Sequence, residues 1–162
     1  MKIKLTPTLC YLAGIQSRFK EENGAVGIKT SIDAIEQHFI EICLKELKLE
    51  PNKLLIEVDG SIRHVFFYHS KLNKQLKQIT ENQTKLFKLP THEARSYIAG
   101  IFDGSGYVRD GHIFIQKLSR GDEVMLENLT VHIKGNRVMS VNAFISIING
   151  YSILLKVLDI AK

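Results

Sequence analysis

The chain has 162 residues, of which 44% are hydrophobic and 24% charged, a balance typical of one folded domain or two fused halves and not of a disordered polymer. Its 22 lysines and arginines exceed its 17 acidic residues, giving a net charge of +5. That excess is compatible with a polyanionic partner or with an ordinary lysine-rich surface. No apolar run approaches the roughly 20 residues of a membrane span, so we expect no membrane association.

The two cysteines, Cys10 and Cys43, occur in apolar contexts typical of helices, and neither belongs to a pattern with metal-ligand spacing. Such cysteines are usually buried, reduced thiols. We therefore expect an intracellular protein, most simply a cytoplasmic one.

In chain order, the first half predicts helix, hairpin, helix, hairpin, helix. Thr6 followed by Pro7 favours a helix start that leads into YLAGIQSRFK at residues 11–20. A turn at Asn23-Gly24 predicts a hairpin. Thr30 and Asp33 approximate a capping box for the next helix. A second hairpin is predicted to turn at Asp59-Gly60, and SKLNKQLKQITEN at residues 70–82 closes the half as a helix.

The second half repeats this order. Thr91, with Glu93 in the first turn, favours a helix that contains YIAGIFDGSG at residues 97–106. Asp110-Gly111 predicts a hairpin turn, and Ser119 with Asp122 a capping box. A hairpin at Gly135-Asn136 precedes one long final helix over residues 142–158. The pattern predicts an α+β protein of two pseudo-symmetric halves, 1–88 and 89–162, each with an antiparallel sheet under helices.

The two decapeptides share an Ala-Gly step inside a predicted helix, separated by 86 positions (13 to 99). Glycine costs about 1 kcal/mol relative to alanine within a helix. Its presence in both copies favours two helices whose backbones pass close together. We therefore predict a helix interface made of Ala13, Gly14, Ala99 and Gly100.

The repeated motifs and the element order of each half resemble the LAGLIDADG homing endonucleases in their single-chain, two-motif form. LAGIQSRFK at residues 12–20 and IAGIFDGSG at residues 98–106 look like the two motifs, and the second is the better match. The resemblance implies two packed central motif helices and two concave sheets that form a saddle over the DNA major groove. It also implies acids at the helix ends that bind Mg²⁺ for phosphodiester hydrolysis.

The metal-binding acid of that family is the eighth motif position, which is Phe19 in the first copy and Ser105 in the second. Mg²⁺ prefers hard anionic oxygens, and neither phenylalanine nor serine supplies one. Both positions are therefore degenerate, and we predict that the chain binds no metal there and does not cleave. Asp103, at the sixth position, is interpreted as a polar anchor between the motif helices, with catalysis as the alternative. Glu21 and Glu22 are expected on the solvated side of a strand.

Basic side chains flank the predicted turns of the second half. The turns pair Arg109 with His112 and Lys134 with Arg137, so we expect these four on one exposed concave face, joined by Gln116 or Lys117. Arginine and glutamine read base edges and lysine contacts phosphates, which makes all six candidate nucleic-acid ligands.

The first half offers Lys29, Arg63 and His64 as candidates, with Tyr68 or His69 as possible stacking residues. Acids on the same strands, Glu22, Glu57 and Asp59, oppose contact with phosphates. One extra residue in the Asp59-Gly60 turn would make Glu57 and Arg63 cross-strand partners.

Three functions stay open from the sequence. The first is a protein that binds DNA or structured RNA as a monomer without cutting it and without a cofactor. The second is an active endonuclease that uses Mg²⁺. The third is a protein-interaction module on the same fold.

Overall fold

The protein is described here by a computed structural model that covers residues 4–17 and 24–158. The helices are α1 Pro7–Gln16, α2 Asp33–Glu41, α3 Ser70–Glu81, α4 Gln83–Leu86, α5 His92–Ser105, α6 Arg120–Asn128, α7 Val141–Ile148 and α8 Ile153–Leu158. The strands are β1 Ala25–Thr30, β2 Leu55–Asp59, β3 Ile62–Tyr68, β4 Gly106–Arg109, β5 His112–Ile115, β6 Ile133–Lys134 and β7 Arg137–Val138. A π-helical segment, Ile42–Glu46, continues α2, and a short 3₁₀ turn spans Pro51–Lys53.

Two antiparallel sheets confirm the predicted α+β class. The described strands of the first sheet run in the order β1-β3-β2, and those of the second in the order β4-β5-β7-β6. The two sheets share a strand order, because β3 lies between β1 and β2 just as β7 lies between β5 and β6. The strand predicted before Gly24 lies outside the described residues, as do Asn23, Glu21 and Glu22.

The motif helices α1 and α5 cross at their glycines, and the contact is reciprocal. A Cβ atom added to Gly14 would lie 2.2 Å from the carbonyl oxygen of Tyr97, and one added to Gly100 would lie 2.3 Å from that of Tyr11. Each tyrosine precedes the glycine of its own helix by three residues, so the crossing obeys a pseudo-twofold relation. Ala13 and Ala99 are buried beside it. Only glycine permits this backbone approach at either position.

The sequence predicted most helix starts and hairpin turns. Thr6 and Thr91 cap α1 and α5, accepting hydrogen bonds from the amides of Leu9 and Ala94. Both hydrogen bonds of the capping box between Ser119 and Asp122 are present. Asp110 and Gly111 have φ of 52° and 77°, the positive values that a type I′ turn requires.

Two local predictions of the first half are wrong. The second hairpin turns at Gly60-Ser61, because Asp59 pairs with Ile62. Glu57 therefore lies opposite His64 and not Arg63. Thr30 does not cap α2, because its Oγ1 accepts from the amide of Ile32, the residue immediately before the helix.

The predicted long final helix is also wrong, since it is broken into α7 and α8. Gly150 has φ of 86°, a conformation that ends a helix and that glycine adopts without strain. The chain then restarts as α8, whose first amides bond to a side chain of α5. Within the described part of the chain, the helices are too short or too polar to cross a membrane.

Candidate nucleic-acid interface

Asp103 sits near the end of α5, where its carboxylate accepts four hydrogen bonds. Oδ2 accepts from the Tyr11 hydroxyl at 2.6 Å and from the Ile153 amide at 3.0 Å. Oδ1 accepts from the Ser152 hydroxyl at 2.6 Å and from the Leu154 amide at 3.1 Å. This side chain joins α1, α5 and α8, and it caps the start of α8 from another helix.

Burial governs the protonation of this carboxyl group. Asp103 is only 5% exposed, and this burial raises its pKa above the ordinary aspartate value, although the four hydrogen bonds act to lower it. Burial also raises the pKa of the Tyr11 hydroxyl, and the neighbouring Asp103 raises it further. A carboxylate enclosed by four donors has no free oxygen to offer a metal ion or a substrate.

Ser105, the degenerate eighth position, is the last residue of α5 and donates from its hydroxyl to the carbonyl of Ile101 at 3.1 Å. Phe19, the matching position of the first motif, lies outside the described residues. Across residues 4–17 and 24–158, His, Cys, Asp and Glu side chains form no cluster of three that could hold a metal ion. The described residues at the end of α5 therefore do not fit Mg²⁺, which needs several hard oxygen ligands.

The second sheet carries basic side chains on one face. Arg109 pairs with His112, and Lys134 pairs with Arg137, which confirms the predicted register. Directly paired residues lie on the same face of a sheet. The opposite face is made of Ile113, Ile115 and Val138, all buried in the core. The face that carries Arg109, His112, Lys134 and Arg137 is therefore the one turned away from the helices, and we call it the second open face.

Two aromatic residues that the sequence analysis missed lie among these basic groups. Tyr107 pairs with Phe114, and their rings stack with centroids 5.1 Å apart. Phe114 also pairs with Arg137 on the neighbouring strand. Strand alternation could have found both, because Tyr107 precedes Arg109 by two residues and Phe114 follows His112 by two.

Arg137 is the most constrained cation of this face. Its Nε is buried, and it has no hydrogen-bond partner within the described part of the chain. A buried donor without a partner is costly. Gln116 and Lys117 are exposed just beyond the end of β5, and Lys117 adopts φ of 57°.

The first sheet has a corresponding open face with different chemistry. Val65 and Phe67 of β3 are buried, so their neighbours His64, Phe66 and Tyr68 lie on the opposite side. We call that side the first open face. Lys29 and Glu57 flank His64 across the three strands, and Glu57 lies 3.7 Å from its Nδ1.

Arg63 does not belong to this face. It alternates with His64 and points to the side covered by α2, where its Nε lies 2.9 Å from the carboxylate of Glu36. Arg63 therefore does not share the first open face with Lys29 and His64, because an ion pair with a helix of the covered side holds its side chain. Its predicted contact with nucleic acid stays a prediction. His69 is likewise occupied, since its Nδ1 accepts from the amide of Leu72 and caps α3.

No family model matches the sequence, and no curated protein matches it. The structure is similar to solved structures of the homing endonuclease I-DmoI. A structure of its mesophilic variants has a TM-score of 0.65 at 16% identity and covers 89% of this chain and 96% of that one. A variant in complex with its target DNA in the presence of manganese has a TM-score of 0.67 at 16% identity, and the match covers 89% of this chain and 94% of that one. I-DmoI in complex with DNA and manganese has a TM-score of 0.65 at 16% identity, and the match covers 88% of this chain and 97% of that one.

These matches span almost the whole of both chains, which establishes that this protein has the I-DmoI fold. The central helices and the two sheets are thus arranged as in the I-DmoI fold. Fold alone does not assign an activity, which has to be argued from the residues at the site.

Proposed function

We propose that this protein binds nucleic acid through the open faces of its two sheets and does not cleave it. The observation that carries the proposal is the second open face, on which Arg109, His112, Lys134 and Arg137 lie together around a stacked aromatic pair. Cations that hold phosphates and aromatic rings that contact bases form a common combination in nucleic-acid recognition.

The charges on this face are available to a ligand. Arg109 and Lys134 are exposed, and Arg137 is half-buried between Phe114 and Lys134 of the neighbouring strands. Asp110, the acid beside Arg109, is itself exposed and 3.9 Å from its Nε, a weak contact that a phosphate can replace. We infer an interaction that weakens as salt rises, because phosphate contacts release counterions.

Double-stranded DNA is the first partner to test. Solved structures of I-DmoI variants, which have the same fold, contain that protein's target DNA. Structured RNA is the second, because its phosphates attract the same cations. A single chain supplies both open faces, so we propose that the protein acts as a monomer.

The absence of cleavage is proposed from the ends of the motif helices. Serine stands at the position where the resemblance requires a metal-binding acid, and Asp103 is committed to four hydrogen bonds. Neither group can present an anionic oxygen to a metal ion in the arrangement that the structure shows.

Fluorescence anisotropy with a labelled random duplex tests binding. We expect affinity to fall linearly with salt on logarithmic axes and the slope to drop by about two when Arg109 and Lys134 are both replaced by alanine. Lys45→Ala is the matched control, an exposed lysine on the helical side of the molecule. Salt-independent binding, or an equal loss in the control, would refute the proposal.

Incubation of the same duplex pool, with and without Mg²⁺, tests cleavage. We expect intact DNA and no magnesium uptake in calorimetry. Cleavage products, or uptake that disappears in Asp103→Asn, would instead establish the active endonuclease.

A further inference from the structure

The two open faces differ in charge although they share one topology. The second carries four basic side chains on its strands. On the first, Lys29 is opposed by Glu57 and Asp59, and His64 contacts Glu57 at 3.7 Å. Duplex DNA presents a dense row of phosphates, and a face with excess acid is a poor match for it.

The first open face is instead rich in exposed apolar surface. Tyr68 is 61% exposed, Ile62 is 47% exposed and Leu55 is 39% exposed. All three lie on the same side, because Leu55 pairs with Phe66, and Ile62 and Tyr68 alternate in step with it along β3. Apolar side chains gathered on a face that no described element covers mark a site of interaction.

The Tyr68 ring packs against a neighbouring ring on the first open face. It meets Phe66 edge to face, with ring centroids 5.8 Å apart and an angle of 89° between the planes. The His64 ring stacks on the other part of Phe66, with centroids 4.3 Å apart. Phe66 is buried, and it packs closely over Gly27 of the neighbouring strand. A Cβ atom added to Gly27 would lie 2.5 Å from the Cβ atom of Phe66. The result is a row of three rings, His64, Phe66 and Tyr68, whose exposed end is the Tyr68 ring.

An exposed ring suits an unpaired base. Bases in a duplex are already stacked on one another, whereas those in a loop or overhang expose a face that an aromatic side chain can cover. The stacking needs no positive charge at the Tyr68 ring, which explains how Glu57 and Asp59 are tolerated nearby.

We propose that the protein binds a nucleic acid in which a duplex adjoins unpaired bases, with the duplex on the second open face and an unpaired base on Tyr68. This rests on the proposed function, because the second open face supplies the attraction for phosphates. It adds that the two halves recognise different parts of one ligand.

The test compares one stem sequence in two forms, as a hairpin closed by a pyrimidine-rich loop and as a blunt duplex, each made in DNA and in RNA. Wild-type protein is expected to bind the hairpin about tenfold more tightly than the duplex in at least one of the two chemistries. Tyr68→Ala should remove that preference and leave duplex affinity unchanged. Tyr68→Phe should keep it, since stacking requires only the ring.

Val58→Ala is the matched control, because Val58 is 65% exposed but lies on the opposite side of the same sheet, paired with Arg63. Equal affinity for hairpin and duplex, or a preference that survives Tyr68→Ala, would overturn this inference while leaving duplex binding intact. That result would favour a protein partner on the first open face. Failure of every form to bind in a salt-dependent manner would overturn the proposed function itself.

Discussion

The Tyr11 hydroxyl donates a 2.6 Å hydrogen bond to Oδ2 of Asp103, which joins the first motif helix to the second. The pseudo-symmetric residue Tyr97 donates instead to Oδ1 of Asp122, at 3.3 Å, within its own half. The two tyrosines occupy equivalent positions at the helix crossing, yet their hydroxyls donate to different acids. The bridge and the capping of α8 depend on the same carboxylate, so Asp103 is a structural centre of the molecule.

Asp103→Asn is expected to lower the free energy of unfolding by about 2–3 kcal/mol, because an amide nitrogen replaces an oxygen that accepts two of the four hydrogen bonds. Tyr11→Phe removes one donor and should cost about 1 kcal/mol. Urea unfolding followed by circular dichroism measures both. If Asp103→Asn left the free energy of unfolding unchanged, the carboxylate would not be structural, and a catalytic role would be open again.

The raised pKa of Asp103 gives a second expectation. In the pH range between the ordinary aspartate pKa and the raised folded value, the folded state binds more protons than the unfolded state. The stability contributed by this group is therefore present below that range and lost as pH rises through it. The difference in unfolding free energy between wild type and Asp103→Asn should narrow with rising pH. A difference that widens with pH would contradict the direction of the shift.

Alanine at the helix crossing should be strongly destabilising. A Cβ on Gly14 or on Gly100 would approach a carbonyl oxygen of the facing helix to 2.2 or 2.3 Å, and backbone cannot swing aside as a side chain can. We expect each single substitution to cost about 3 kcal/mol in thermal or urea unfolding. Lys77→Ala, at an exposed position of α3, is the control and should change stability by less than about 0.5 kcal/mol. If alanine at Gly14 or Gly100 cost no more stability than Lys77→Ala, the two helices would be able to move apart.

Arg63 and Arg137 should separate stability from binding. Arg63→Ala leaves the nearly buried Glu36 without its partner and is expected to cost about 1 kcal/mol in stability, with no loss of duplex affinity. Arg137→Ala is expected to weaken duplex binding about tenfold, because it removes a cation from the second open face. Anisotropy on both purified variants decides the matter. Duplex binding that is weakened by Arg63→Ala and not by Arg137→Ala would show that the duplex contacts the covered side of the first sheet and not the second open face.

The sequence by itself determined the repeat, the α+β order of elements and most of the local signals. Thr6, Thr91 and the Ser119–Asp122 box act through hydrogen bonds within three residues, and Asp110-Gly111 requires only its own φ angles, so their effects can be predicted locally. The pairings of Arg109 with His112 and of Lys134 with Arg137 followed from those turns, since turn length fixes register.

Tertiary structure decided the remainder. The start of α8 depends on Asp103, some fifty residues earlier in the chain, which supplies the acceptors for the amides of Ile153 and Leu154. Arg63 turns away from the first open face because the Asp59–Ile62 pairing fixes its side of the sheet and Glu36 of α2 holds it there. The exposure of Tyr68 and the enclosure of Asp103 depend on what packs over each side chain. Such contacts join distant segments, so they become visible only once the chain has folded.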